Sequence, residues 1–158
     1  MRDQASFEKA WAQRSQGAAG EVHAFEPNYE GSPVVWQNDG APHFCSAKGS
    51  HQFKARTGHH LSPMTLSSGK NVFDALGAQF TLLAFDATPQ EVQIFLDAAA
   101  NEGMTLTCVH EKTSADTARY EAKWILVRPD QFIAWAGQDV GLSLDQARQL
   151  IRLAKGQA

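Results

Sequence analysis

Cysteine is scarce in this chain, with only Cys45 and Cys108, 63 positions apart and in no CxxC pair. A disulfide framework and a vicinal redox motif are both excluded, and a reduced, cytoplasmic setting is the expectation. Excess positive charge is also missing: 14 Lys and Arg stand against 17 Asp and Glu, for a net charge of −3 and a pI of about 6.0. That balance leaves no basic footprint for nucleic acid. No apolar run approaches the ~18–20 residues needed to cross a bilayer, so no membrane partner is expected. The opening MRDQASFEKAW has no apolar core, and no secretory signal is expected from it. There is no GxGxxG, no GxxxxGK[ST] and no GxSxG, which removes the usual dinucleotide cradle, phosphate loop and serine-nucleophile elbow. Gly58 and Gly69 read as turn glycines. Internal repeats and low-complexity tracts are absent as well.

What the chain does have is material for a core. It is 43% hydrophobic, with four Trp and nine Phe in 158 residues, enough for one domain or one domain with an extension. Its clearest element is WILVRPDQFIAWAG, Trp124 to Gly137. Ile125, Leu126 and Val127 suit a covered strand, and Arg128-Pro129-Asp130-Gln131 supplies a turn. Phe132, Ala134 and Ala136 are then predicted on one face, with Ile133 and Trp135 on the other. Two strands so closely joined should pair as an antiparallel hairpin.

Taken in order, residues 3–14 predict a short helix with Phe7 and Trp11 on one face, ended by Gly17-Ala18-Ala19-Gly20. Gly31-Ser32-Pro33 enters a short strand at Val34-Val35-Trp36, followed by a turn at Asn38-Asp39-Gly40. Residues 40–63 read as an irregular segment long enough to wrap over a neighbour or serve a function. Ser67-Ser68-Gly69-Lys70 is a turn, and Asn71 caps a short helix through Leu76. Phe80–Phe85 is a strand. Thr88, Pro89 and Glu91 form a capping box, opening a helix that buries Val92, Phe95, Leu96 and Ala99 and stops at Gly103. Met104–His110 alternates as a strand, and a helical turn is expected around Asp116–Tyr120. Ser143 and Gln146 cap a last helix whose inward face is Leu144, Ala147, Leu150, Ile151 and Ala154.

The order β-α-β, linker, β-β-α implies a parallel pair with a right-handed crossover, closed by a hairpin and helix. That is an α/β sandwich of the thioredoxin-like kind. Redox chemistry in such a fold needs a cysteine after the first strand, where a helix N-terminus lowers its pKa. Here that turn reads Phe85-Asp86-Ala87-Thr88-Pro89, with no cysteine. The proline that thioredoxins place before the third strand is replaced by Ala122-Lys123. Cys108 is expected to be a small buried hydrophobe and Cys45 a packed or surface thiol. Six histidines (His23, His43, His51, His59, His60 and His110) lack the tight pairs of a zinc site. Asp86 and Glu91 read as helix-start carboxylates, and Arg128 and Asp130 as solvated turn residues, with Arg128 a candidate interdomain contact. On the residues alone, a free-standing thiol protein using Cys45 or Cys108, and an independent dimerisation or adaptor module, both remain open.

Three segments carry a resemblance: YEGSPVV at Tyr29–Val35, ARTGHHLSPMTLSSGKNVFDALGAQFTLL at Ala55–Leu83, and LVRPDQFIAWAG at Leu126–Gly137. Together they resemble the C-terminal region of flavin-dependent aromatic-ring hydroxylases, the class of phenol and 3-(3-hydroxyphenyl)propionate hydroxylases and polyketide oxygenases. That family shows Arg-Pro-Gly-x-Arg-x-Pro-His where this chain has Arg56-Thr57-Gly58-His59-His60-Leu61-Ser62-Pro63. Gln131 stands where Gly is usual in the hairpin turn. The resemblance implies FAD and NAD(P)H for a full-length enzyme acting on phenolic rings, held by upstream flavin-binding and substrate domains whose motifs are not in these residues. It also implies a structural, interdomain or homodimer-forming role here, with no catalytic, cofactor-binding or metal residue in this chain. The expected division is a connector at 1–56 and a thioredoxin-like domain at 57–158.

Overall fold

The computed structural model describes residues 27–36, 53–138 and 141–157. The expected helix at 3–14, the turn at 38–40, Cys45, His23, His43 and His51 lie outside the described residues. Four strands form one sheet, β1 (Phe80–Phe85), β2 (Leu106–Glu111), β3 (Trp124–Val127) and β4 (Ile133–Gly137), in the order β2-β1-β3-β4. β1 and β2 are parallel, with Leu82 opposite Cys108, while β1–β3 and β3–β4 are antiparallel. Two α-helices follow the expected boundaries, α1 at Pro89–Asn101 and α2 at Leu144–Ala154. This is the thioredoxin-like mixed sheet.

Local chemistry sets the helix ends. Thr88 accepts from the Glu91 amide while Glu91 reaches back to the Thr88 amide, and Ser143 and Gln146 repeat the arrangement on α2. Each box satisfies donors that a bare helix start would leave unpaired. Gly103, at φ +63°, turns the chain out of α1 toward β2. Short 3₁₀ turns fall where expected, at Val72–Ala75 behind the Asn71 cap and at Thr117–Tyr120.

The two faces of the sheet are covered differently. Both α-helices pack on one face, burying Phe95, Trp124, Leu126, Trp135, Leu150 and Ile151. Phe95 lies between the two tryptophans, with ring centroids 5.0 Å from Trp124 and 5.9 Å from Trp135. Among the described residues the other face carries no α-helix. The irregular arm from Ala55 to Val72 covers it, setting Leu61, Met64, Leu66 and Val72 against Leu83, Ile125, Val127 and Ile133. Tyr120 is fully buried there and donates its hydroxyl to the Ser62 carbonyl at 2.5 Å, which ties the arm to the linker before β3. Each large apolar side chain covered in this way contributes ~1.5–3 kcal/mol of burial.

Three expectations are corrected. Val34–Trp36 is not a strand: Val35 closes a turn on the Ser32 carbonyl, and Trp36 gives a single backbone bond to Ala134. One bond to one residue cannot propagate a ladder. Leu144 is 40% exposed, because it opens α2 on the solvent side, and Leu142 before the cap packs into the core in its place. In β4, Ile133 and Trp135 do not share a face. Leu126 pairs with Trp135 and Val127 with Ile133, so Ala134 is an extra residue in a bulge. The bulge sends Ile133 to the arm side and both Ala134 and Trp135 to the helix side.

Candidate functional site

The corner that thioredoxin-like enzymes use for chemistry lies after β1. Asp86 occupies it in a left-handed conformation, φ 49°, with its amide donating to the Glu111 carbonyl. Both carboxylate oxygens accept from the Thr113 amide at 3.3 Å. Thr113 and nearby Lys112 and Lys123 hold this carboxyl below its ordinary value, so it stays ionised at neutral pH. The expectation that Asp86 serves the helix start is therefore corrected, since it fastens the chain after β2 instead. Glu91 does serve the helix, and it also accepts from Lys123 Nζ at 2.6 Å. That bond, with the Thr88 amide, depresses Glu91 to about 2.

An open crevice of about 380 Å³ fronts this corner, bordered by Phe85, Asp86, Thr117, Glu121, Lys123 and Gln138. Its walls offer two carboxylates and an ammonium already engaged with Glu91. Among the described residues no thiol, imidazole or serine hydroxyl lines it. Ala122-Lys123 runs into β3 where thioredoxins carry a proline. Cys108 sits in the middle of β2, half-buried, on the face shared with Met104 and Leu106. Burial pushes its thiol up, which disfavours the thiolate a nucleophile requires. Cys108 is thus less covered than the sequence led us to expect, and no more reactive.

The described histidines do not converge. His59 is buried, with Nε2 2.6 Å from Glu30 Oε1. His60 lies between Phe73 and Phe132 at ring distances of 5.7 and 5.3 Å. His110 donates Nε2–H to the Ala87 carbonyl at 2.6 Å. Among the described residues no three His, Cys, Asp or Glu side chains gather as a metal site. No helix among them is long and apolar enough to cross a membrane.

A second constellation has no counterpart in motif reading. Residues 29–36 are pinned to the hairpin and to the arm: Tyr29 N–H donates to Gly58 O at 2.6 Å, Gly58 N–H to Ile133 O at 2.8 Å, and Trp36 N–H to Ala134 O at 2.9 Å. Tyr29 meets Phe132 edge-on at 4.6 Å, and Arg128 lies 5.4 Å from the Tyr29 ring. Arg128 also pairs with Asp130 at 3.0 Å and is only 21% exposed, so it is not the solvated turn residue expected. The sequence signal for this junction was Gly58. At φ +84° a β-carbon there would stand 2.8 Å from the Glu30 amide nitrogen.

The family model described as aromatic-ring hydroxylase, C-terminal, matches residues 54–157. The FAD-dependent monooxygenase opdD of Penicillium oxalicum (strain 114-2 / CGMCC 5302) is 34% identical over 96 residues, 58% of this chain and 18% of that protein. The substrate-free rebeccamycin biosynthetic enzyme RebC superposes with a TM-score of 0.67 at 27% identity, covering 97% of this chain and 26% of RebC. Aklavinone-11 hydroxylase, solved with FAD and aklavinone, has the same fold at a TM-score of 0.60 and 22% identity, over 78% of this chain and 25% of that one. The chain thus spans about a fifth to a quarter of the length of these relatives.

Proposed function

Because the chain belongs to the aromatic-ring hydroxylase C-terminal domain family, we propose that it is the structural C-terminal domain of a flavin-dependent monooxygenase hydroxylating phenolic substrates. Its role there is to cover the substrate domain or to build a homodimer, and it supplies no catalytic, cofactor-binding or metal residue. FAD and NAD(P)H belong to the preceding flavin-binding and substrate domains, where the cofactor carries the oxygen chemistry. The proposed boundary keeps 1–56 as connector and 57–158 as the domain. Ala55, buried in the arm-side core, argues that the last connector residues already belong to the fold.

The observation that carries this reading is the corner after β1. An ionised Asp86, fastened to Thr113, stands where a thioredoxin-like enzyme would place its nucleophile. The described thiol, Cys108, sits on a strand and is pushed up by burial. Relatives whose names include FAD-dependent monooxygenase support the flavin context. Alkylation rates followed against pH test the point. The reading expects no thiol titrating below the ordinary cysteine value of ~8.5. A cysteine reacting as a thiolate near neutral pH would overturn it in favour of a thiol enzyme.

A further inference from the structure

Between the helix-side face of β4 and α2 lies a cleft of about 360 Å³, bordered by Trp36, Trp135, Leu142, Gln146, Gln149 and Leu150. Its volume falls in the ~300–1,000 Å³ range of small-molecule sites, and it shares their make-up of aromatic and aliphatic walls with a few polar groups. Among the described residues no charged side chain borders it. Its aromatic walls are set by the fold. Trp36 is held by its amide bond to the Ala134 carbonyl. Trp135 packs on Phe95 at 5.9 Å, and its benzo ring folds back over Gly137, where a β-carbon would stand 2.5 Å from Cζ2. Only glycine at 137 allows so close an approach of ring to backbone.

One polar group in this wall has nothing to bond. Trp135 is 6% exposed, yet among the described residues its indole N–H has no hydrogen-bond partner. A buried indole N–H normally finds one. The nitrogen is not sealed from solvent either, and the open space beside Trp135 is this cleft. Gln146 adds a second donor. Its Oε1 accepts from the Ser143 amide at 2.8 Å in the capping box, which leaves the Nε2 hydrogens for another partner. Gln149 follows three residues later on the same face of α2.

We infer that this cleft binds a small uncharged aromatic molecule through an oxygen acceptor, a phenol or an aromatic ketone. The ring lies against Trp36 and Trp135, and the oxygen accepts from the Trp135 N–H. A charged ligand would lose hydration with no counter-charge in the walls. A hydrocarbon would leave the indole N–H unpaired. The inference goes beyond the structural role proposed above, because it gives the domain a ligand site of its own that needs no flavin.

The test is nitrogen–proton correlation NMR of the whole chain, titrated in turn with acetophenone, ethylbenzene, benzoate and methyl glucoside. The four tryptophans give four indole signals, and Trp135→Phe assigns the one that matters. Acetophenone should move that signal saturably, with a Kd below ~1 mM. Ethylbenzene and benzoate should bind about tenfold more weakly, and methyl glucoside should leave the signal in place. Trp135→Phe keeps an aromatic ring and removes the donor, so acetophenone should then bind no better than ethylbenzene. Trp36→Ala takes away one wall from a half-buried position and should weaken both ligands. It stays informative if Trp135→Phe fails to fold. No saturable shift up to ~10 mM acetophenone would overturn the inference. So would ethylbenzene binding as tightly as acetophenone, a preference for benzoate or the glucoside, or shifts confined to the other three indoles. A Trp135 N–H already protected from exchange without ligand would also overturn it, because the chain itself would then fill the cleft. Each of those outcomes leaves the thiol-titration test of the family reading untouched.

Discussion

Gly58 lies against the backbone of Glu30, so closely that any side chain at 58 would collide with the 29–30 peptide. Three features meet at that residue: its φ of +84°, its bonds to Tyr29 and Ile133, and the part-buried Glu30–His59 pair one residue on. Gly58→Ala should cost about 2–3 kcal/mol, combining left-handed strain with displaced backbone. Urea unfolding reads the loss. Faster exchange at the Tyr29 and Trp36 amides would show that the connector is what lets go.

Gln131 makes the opposite case. It sits at φ 68° in the hairpin turn, with its amide on the Arg128 carbonyl. A non-glycine residue pays ~1–2 kcal/mol in that region, and glycine gives back ~0.5–1 kcal/mol in chain entropy. Gln131→Gly should therefore stabilise the chain by about 0.5 kcal/mol. The urea midpoint should rise with an unchanged slope.

Glu91 sets an acid limit on the fold. Its carboxyl lies at about 2, well under the ordinary 4.5, chiefly through the Lys123 ammonium and the Thr88 amide. A carboxyl depressed on folding stabilises fully above its unfolded value and loses that contribution as pH falls through its folded one. Stability should therefore decline between pH 4.5 and 2. Glu91→Gln should flatten that part of the profile and lower the urea midpoint at pH 7. Because Glu91 and Lys123 are each 18% exposed, salt should weaken the effect only in part.

Glu102 joins the helices at the far end. It accepts from Arg148 and Arg152, each at 2.8 Å, and its carbonyl accepts from Lys155. Glu102→Gln should leave α1 intact and lower the thermal midpoint by a few degrees, read by circular dichroism. Arg148→Ala in the Glu102→Gln background should then add little, because the two act as one unit.

Much of this fold was legible because local chemistry and tertiary structure agree. Thr88-Pro89-Gln90-Glu91 and Ser143 with Gln146 announce helix starts that the backbone can satisfy in only one way. The β4 bulge was not legible, since the strict alternation of FIAWAG hides the extra residue at Ala134. It follows from the tertiary demand that Trp135 reach Phe95 on the helix side while Ile133 stays under the arm. The strand expected at Val34–Trp36 failed for a related reason, as the edge it meets offers it only the Ala134 carbonyl. At the candidate site, the missing thiol could be read directly from Phe85–Pro89. The attachment of Asp86 to Thr113 could not, because the partners lie 27 residues apart.

The central claim is that this chain carries architecture and no flavin chemistry. FAD titration followed by intrinsic tryptophan fluorescence, with NADPH oxidation measured on the same samples, tests it most directly. We predict no saturable quenching and no NADPH turnover above the free-flavin background. Stoichiometric FAD uptake with a flavin band near ~450 nm, accompanied by NADPH-dependent hydroxylation of a phenol, would contradict it.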